Sequence, residues 1–143
     1  MSAPKIIIGL LGIDQHEVGA IAVSSLLRDA GMEIVYAGRY NTPQSLVRIA
    51  TEEDADVIGI SCHSWEYLDY VPELIGLAKS QSLDVAVVLG GSVITAADAR
   101  AMEASGVAAI FGPGDPAGAI TDSVRRITEA RRRRIHGSLM DFS

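Results

Sequence analysis

The sequence predicts an α/β domain, a doubly wound five-stranded parallel sheet with strand order 2-1-3-4-5. Three observations predict it. Short apolar runs alternate with longer amphipathic stretches along the whole chain. The apolar runs are continuous rather than alternating, as expected for strands covered on both faces. With 143 residues and a hydrophobic fraction of 48%, the chain is the size of one domain with a sizeable core.

The elements follow in order. Ile6–Leu11 is the first strand, too short for a buried helix and rich in isoleucine. Glu17–Ala30 reads as a helix with Val18, Ile21, Ala22 and Leu26 on its core face and Gly31 as its stop. Glu33–Ala37 is the second strand. Thr42-Pro43, a cap residue followed by proline, opens a second helix that buries Leu46, Ile49 and Ala50. Asp56–Ile60 is the third strand and Tyr67–Ser80 the third helix, with Pro72 expected in its first turn. Val85–Leu89 is the fourth strand. Thr95, with Asp98 three residues on, caps the fourth helix. Val107–Phe111 is the last strand, and Asp115-Pro116 starts a helix packing Ile120, Val124 and Ile127. Residues 1–134 form the domain, and 135–143 are expected to be a flexible C-terminal tail.

Bulk composition excludes several functions. A net charge of −6 disfavours nucleic acid, whose phosphates need a basic face. The basic cluster Arg131 to Arg134 reads as a solvated helix end set against the helix dipole. A single cysteine, Cys62, precludes an internal disulfide and fits a reducing compartment. No stretch approaches the roughly 20 apolar residues of a membrane span. The expected setting is soluble and cytoplasmic, with neither membrane nor nucleic acid as partner.

In doubly wound sheets, ligands bind beyond the carboxyl ends of the strands. Those ends carry Gly12 to His16, Gly38 to Asn41, Ser61 to Trp65, Gly90 to Ser92 and Gly112 to Asp115. There is no GxGxxG or GxxxxGK[ST] signature, which removes the usual support for NAD or nucleoside triphosphates. Phosphoacceptor chemistry would want an aspartate where Ser61 stands and a lysine where Gly112-Pro113-Gly114 stands. What remains is Asp14-x-His16 ahead of Gly19. A neutral imidazole is a metal ligand, and a carboxylate two residues away can hold its other nitrogen. One histidine is too few for zinc. It suits a metal already held by a macrocycle, or else the histidine simply caps the next helix. Gly90-Gly91 and Gly112-Pro113-Gly114 allow close approach of a ligand or form ordinary turns. Ser61 either donates into a cleft or caps a helix. All fall on one edge of the sheet.

The ordered set Asp14-x-His16-x-x-Gly19, Ser61 and Gly90-Gly91 resembles cobalamin-binding domains of the methionine synthase and mutase type, over roughly Lys5 to Ala130. The resemblance implies a flavodoxin-like (Rossmann-like) fold and cobalamin bound with its dimethylbenzimidazole base displaced from cobalt. His16 would be the lower cobalt ligand, with Asp14 its hydrogen-bond partner. Ser61, Gly90 and Gly91 would line the slot for the nucleotide tail, a side chain at Gly91 projecting into it. Gly12, Gln15, Gly19, His63 and Gly112 complete the expected cofactor-binding set, and no catalytic residue is expected in this subunit. The stretch Leu27 to Tyr36 with Asn41-Thr42-Pro43 looks like acyl-CoA mutases. The loop Gly12 to Gly19 looks more like the small subunit of glutamate mutase. Leu10 stands where acyl-CoA mutases carry lysine, and His63 stands where the family favours leucine after Ser-x. Trp65 packs on the tail or a partner or covers the core, with the core role favoured.

The resemblance implies the small subunit of an adenosylcobalamin-dependent carbon-skeleton mutase, with an acyl-CoA substrate favoured over an amino acid. About four residues precede the first strand. The upper face of the corrin is therefore expected to be covered by another polypeptide, a large TIM-barrel subunit in a hetero-oligomer. The rival functions are a non-catalytic cobalamin carrier or sensor, and a flavodoxin-like interaction domain that binds no corrin.

Overall fold

The computed structural model describes residues 2–14 and 16–141, with side chains described through 137. The elements run β1 (Lys5–Leu11), α1 (Glu17–Asp29), β2 (Glu33–Asn41), α2 (Pro43–Glu53), β3 (Val57–Ser61), α3 (Tyr67–Ser80), β4 (Ala86–Gly90), α4 (Ala96–Ser105), β5 (Ala109–Phe111) and α5 (Ala117–Asp141). All strand pairs are parallel and the order is β2-β1-β3-β4-β5, as expected from the alternation of apolar runs. Among the described residues, no helix is long and apolar enough to cross a membrane.

Side-chain alternation splits the sheet into two apolar faces. Ile6, Ile8 and Leu10 of β1 join Val57, Ala86 and Val88 beneath Ala20 and Leu27 of α1 and Val124 of α5. Ile7 and Leu11 join Ile58, Ile60, Val87 and Leu89 beneath α2, α3 and Met102 of α4. Leu10 is thus a fully buried core residue. The central strands are buried along nearly their whole length, which is why they lack alternation in sequence.

Four expectations need correction. The core face of α1 is Ala20, Ser24 and Leu27, whereas Val18 and Ile21 are largely exposed. Apolar residues occur on more than one stripe of this helix, and the stripe that is buried carries Ala20, Ser24 and Leu27. The second strand does not end at Ala37. Register irregularities on either side of the Gly9–Gly38 pair carry it to Asn41, whose amide donates to the carbonyls of Leu10 and Gly38. Pro72 lies inside α3 rather than in its first turn. Finally, helix α5 continues past Arg134 to Asp141, through the segment set apart as a tail.

The arginine cluster is solvated only at Arg133 and Arg134, which are exposed. Arg131 is buried, its Nη1 2.8 Å from Asp56 Oδ1, and its Nε donates to the carbonyl of Asp84. Arg132 Nη2 lies 2.9 Å from Asp56 Oδ2, which also accepts from the Lys5 backbone N–H at 3.0 Å. The cluster bolts α5 to the amino-terminal edge of the sheet. The reason is Asp56, a buried carboxylate that must be paired. Burial pushes its carboxyl up, but Arg132, the Lys5 amide and Arg131 outweigh that and hold it below the usual value. A depressed folded-state pKa means the stabilisation is present at neutral pH. It declines as pH falls below the ordinary value of 3.8 and is lost as pH falls through the lower folded-state value. Asp56→Ala leaves Arg131 buried without its carboxylate and is expected to cost about 3–5 kcal/mol. Urea unfolding at pH 7 checks this, and the deficit should shrink in acid. A loss that persists unchanged at pH 2 would contradict the pairing argument.

Candidate functional site

The site begins where β1 stops. Gly12 turns the chain with φ of +63°, and a Cβ there would stand 3.0 Å from the Tyr70 ring. Its amide donates to the carbonyl of Asn41. Two residues on, Asp14 is only 4% exposed. Oδ1 accepts from the His16 backbone N–H at 3.1 Å and lies 2.9 Å from His16 Nδ1. Oδ2 accepts from the His63 backbone N–H at 2.8 Å. Burial raises the Asp14 carboxyl, but the hydrogen bonds from His16 and His63 more than compensate and hold it below the usual carboxylate value. The His16 side chain is 69% exposed, and its Nε2 has no hydrogen-bond partner among the described residues. An imidazole pinned at Nδ1 by a carboxylate and open at Nε2 is arranged to donate a lone pair outward.

Beside this loop a cavity of about 280 Å³ enters the α1/α5 face of the sheet. Its floor is Ile8, Gly59 and Val88, and its walls are Gly19 and Val23 of α1 and Ile120 and Val124 of α5. The rim carries Ser61, His63, Gly90, Gly91 and Gly112. Strand register levels the rim, since Ser61 pairs with Gly90 and Gly90 with Phe111. The glycines keep the slot open. A Cβ at Gly59 would fall 2.8 Å from the Ile8 side chain, and one at Gly19 3.2 Å from His63 Nε2. The two halves of the site meet at His63. Its ring centroid lies 5.7 Å from that of His16, and its Nε2 is 3.0 Å from Ser61 Oγ.

The B12 binding domain family matches residues 4–120. The chain belongs to the B12-binding domain family. It is 34% identical over 127 residues to the 2-hydroxyisobutanoyl-CoA mutase small subunit of Aquincola tertiaricarbonis, covering 89% of this chain and 93% of that one. It is also 34% identical over 128 residues to the pivalyl-CoA mutase small subunit of Xanthobacter autotrophicus, covering 90% and 86%. Among solved structures, a cobalamin-binding protein from Desulfitobacterium hafniense superposes with a TM-score of 0.68 at 18% identity, over 91% of this chain and 58% of that one. This last likeness supports the flavodoxin-like fold alone.

The structure of this B12-binding domain gathers Gly12, Asp14, His16, Gly19, Ser61, His63, Gly90, Gly91 and Gly112 at one edge of the sheet. Gln15 lies outside the described residues. Two sequence expectations change. Trp65 does not cover the core; it is 59% exposed at the tip of the loop after β3. Gly91 does not aim at the slot. With φ of +149°, a Cβ there would sit 1.8 Å from the Cys62 carbonyl oxygen, so Gly91 permits a backbone contact. Gly59 and the wall residues Val23 and Ile120 were missed. A glycine inside an apolar strand was the available signal for Gly59. Cys62 beneath the rim is a neutral structural thiol, pushed up to about 12 by burial and the nearby Asp14 carboxylate.

The fit to a corrinoid with a displaced base rests on these features. The slot is lined by apolar side chains and glycines, as a planar aromatic base requires, and an open imidazole nitrogen stands beside it. Strand alternation places a Gly90 side chain on the slot face with Ala86 and Val88. Gly90→Val should therefore fold normally but bind cobalamin about tenfold or more weakly through overpacking. Gly91→Val should instead lose stability outright. Thermal melts and cobalamin titration separate the two. A Gly90→Val protein with unchanged affinity would show that the tail lies elsewhere.

Proposed function

We propose that the chain is the cobalamin-binding small subunit of an adenosylcobalamin-dependent acyl-CoA mutase. The observation that carries this reading is the Asp14–His16 pair set beside the open apolar slot. The likeness to small subunits named for acyl-CoA mutases supports it and favours an acyl-CoA over an amino acid substrate.

Adenosylcobalamin, when bound, supplies radical chemistry for carbon-skeleton rearrangement. The residues of this chain do other work. His16 would hold cobalt from below through Nε2, with Asp14 orienting the ring and making it a better donor. Val23, Gly59, Gly90 and Ile120 would enclose the tail base away from water. With His16 Nε2 given to cobalt and Asp14 held by His16 and His63, these groups would leave the substrate's chemistry to the partner. Substrate binding and radical enclosure would fall to a large TIM-barrel partner in a hetero-oligomer, acting in the cytoplasm.

The surface around the site fits such a partner. Ile13 is 76% exposed, Val18 85% and Tyr40 60%, large apolar side chains left bare on the loop and elements that flank His16. Trp65 stands on the same edge.

Two expectations test the proposal. The purified chain alone should show no mutase turnover, and addition of a large subunit should restore it. Cobalamin should strengthen that association by contacting both chains. Full turnover by the isolated chain would sink the division of labour. Asp14→Ala should retain ligation but weaken cobalamin affinity by about 10- to 100-fold. The absorbance of the bound form in a titration measures this, and unchanged affinity would remove Asp14 from the assembly.

A further inference from the structure

Resting on the cobalamin reading above, we infer that His63 sets the tolerance of the slot for the base at the end of the corrinoid tail. The slot is almost wholly apolar. Its only polar side chains among the described residues are Ser61, His63 and Ser92. Ser92 is exposed at the mouth. Three N–H groups at the rim are already engaged: Gly91 N–H donates to Phe111, Cys62 N–H to Gly90, and Gly112 N–H to the Asp115 carboxylate. Among the side chains inside the slot, hydrogen bonding to a bound base falls to Ser61 and its partner His63.

Ser61 Oγ has a partner of its own, His63 Nε2 at 3.0 Å. A neutral imidazole is donor at one nitrogen and acceptor at the other, and the two tautomers interchange those roles. When Nε2 carries the proton, Ser61 accepts from it and can donate its hydroxyl proton to a ring nitrogen of a base. When Nδ1 carries the proton, Ser61 donates to Nε2 and can accept from an amino group. When the base offers nothing, Ser61 and His63 satisfy each other. Bases with an acceptor, a donor or neither thus leave no buried hydroxyl unpaired. An apolar residue at position 63 would remove this freedom. Ser61 would then be left unsatisfied whenever the base lacks a matching group, which costs roughly tenfold or more in affinity. His63 acts through Ser61, and it is held in place from behind by its backbone bond to Asp14. It is a positioning residue.

The test measures binding of three cobalt corrinoids to the full chain by equilibrium dialysis. Their tails end in dimethylbenzimidazole, in adenine, and in a phenol that offers no ring nitrogen. The wild-type chain should bind all three within a few-fold of one another. In His63→Leu the phenolic form should fall roughly tenfold or more behind the benzimidazole form. His63→Gln, whose amide can also donate or accept, should restore the narrow spread. A purely structural role would weaken all three corrinoids alike in His63→Leu, and that result overturns the inference while leaving the cobalamin reading intact. Strong discrimination by the wild-type chain overturns it as well. If no corrinoid binds, the cobalamin reading fails and this inference falls with it.

Discussion

The buried carboxylate of Asp14 is the constraint on which the site depends. A carboxylate removed from water is costly unless each oxygen is hydrogen-bonded. Here the donors come from two different strand ends. His16 supplies its backbone and faces Oδ1 with its ring, and the loop after β3 supplies the amide of His63. One side chain thereby ties the loop that presents an open imidazole to the loop that edges the slot. The fixed relation between ligand and slot follows from satisfying that single buried charge.

The slot depends on a different economy, the omission of side chains. Gly19, Gly59 and Gly90 remove Cβ atoms from a wall, the floor and the rim. Gly91 serves another end and lets the backbone pass close to Cys62. The outer wall belongs to α5, whose Ile120 and Val124 face the cavity while Arg131 and Arg132 grip Asp56 at the opposite edge of the sheet. The arginine clamp therefore bears on the site from a distance, because it anchors the helix whose other end closes the slot. Two buried aspartates, one at each edge, thus tie the loop after β1 and helix α5 to the sheet.

Much of this was legible in the residues. Continuous apolar runs announced central strands buried on both faces, and the end of each run marked the edge that carries the candidate site. Asp14-x-His16 was readable because carboxylate–imidazole pairing at that spacing is local and needs no tertiary information. The misreadings share a cause, which is that long-range partners do not show in sequence. Arg131 looked solvated because its partner, Asp56, lies 75 residues away. Val18 and Ile21 looked like core because composition alone cannot choose between two apolar stripes on α1. Gly91 was placed in the correct loop, but its φ and the approach of Cys62 decide where a side chain would go. His63 was recognised as a departure at position 63, while its bond to Ser61 and its amide bond to Asp14 emerge only in three dimensions.

The central claim is that His16 Nε2, held by Asp14, binds cobalt from below. Electron paramagnetic resonance of the cobalt(II) form bound to protein containing ring-nitrogen-15 histidine tests it most directly. The account predicts that the splitting from the lower axial ligand changes on labelling, and that the histidine splitting disappears in His16→Ala. An unchanged splitting in the labelled wild-type protein would place some other ligand on the cobalt and contradict the account.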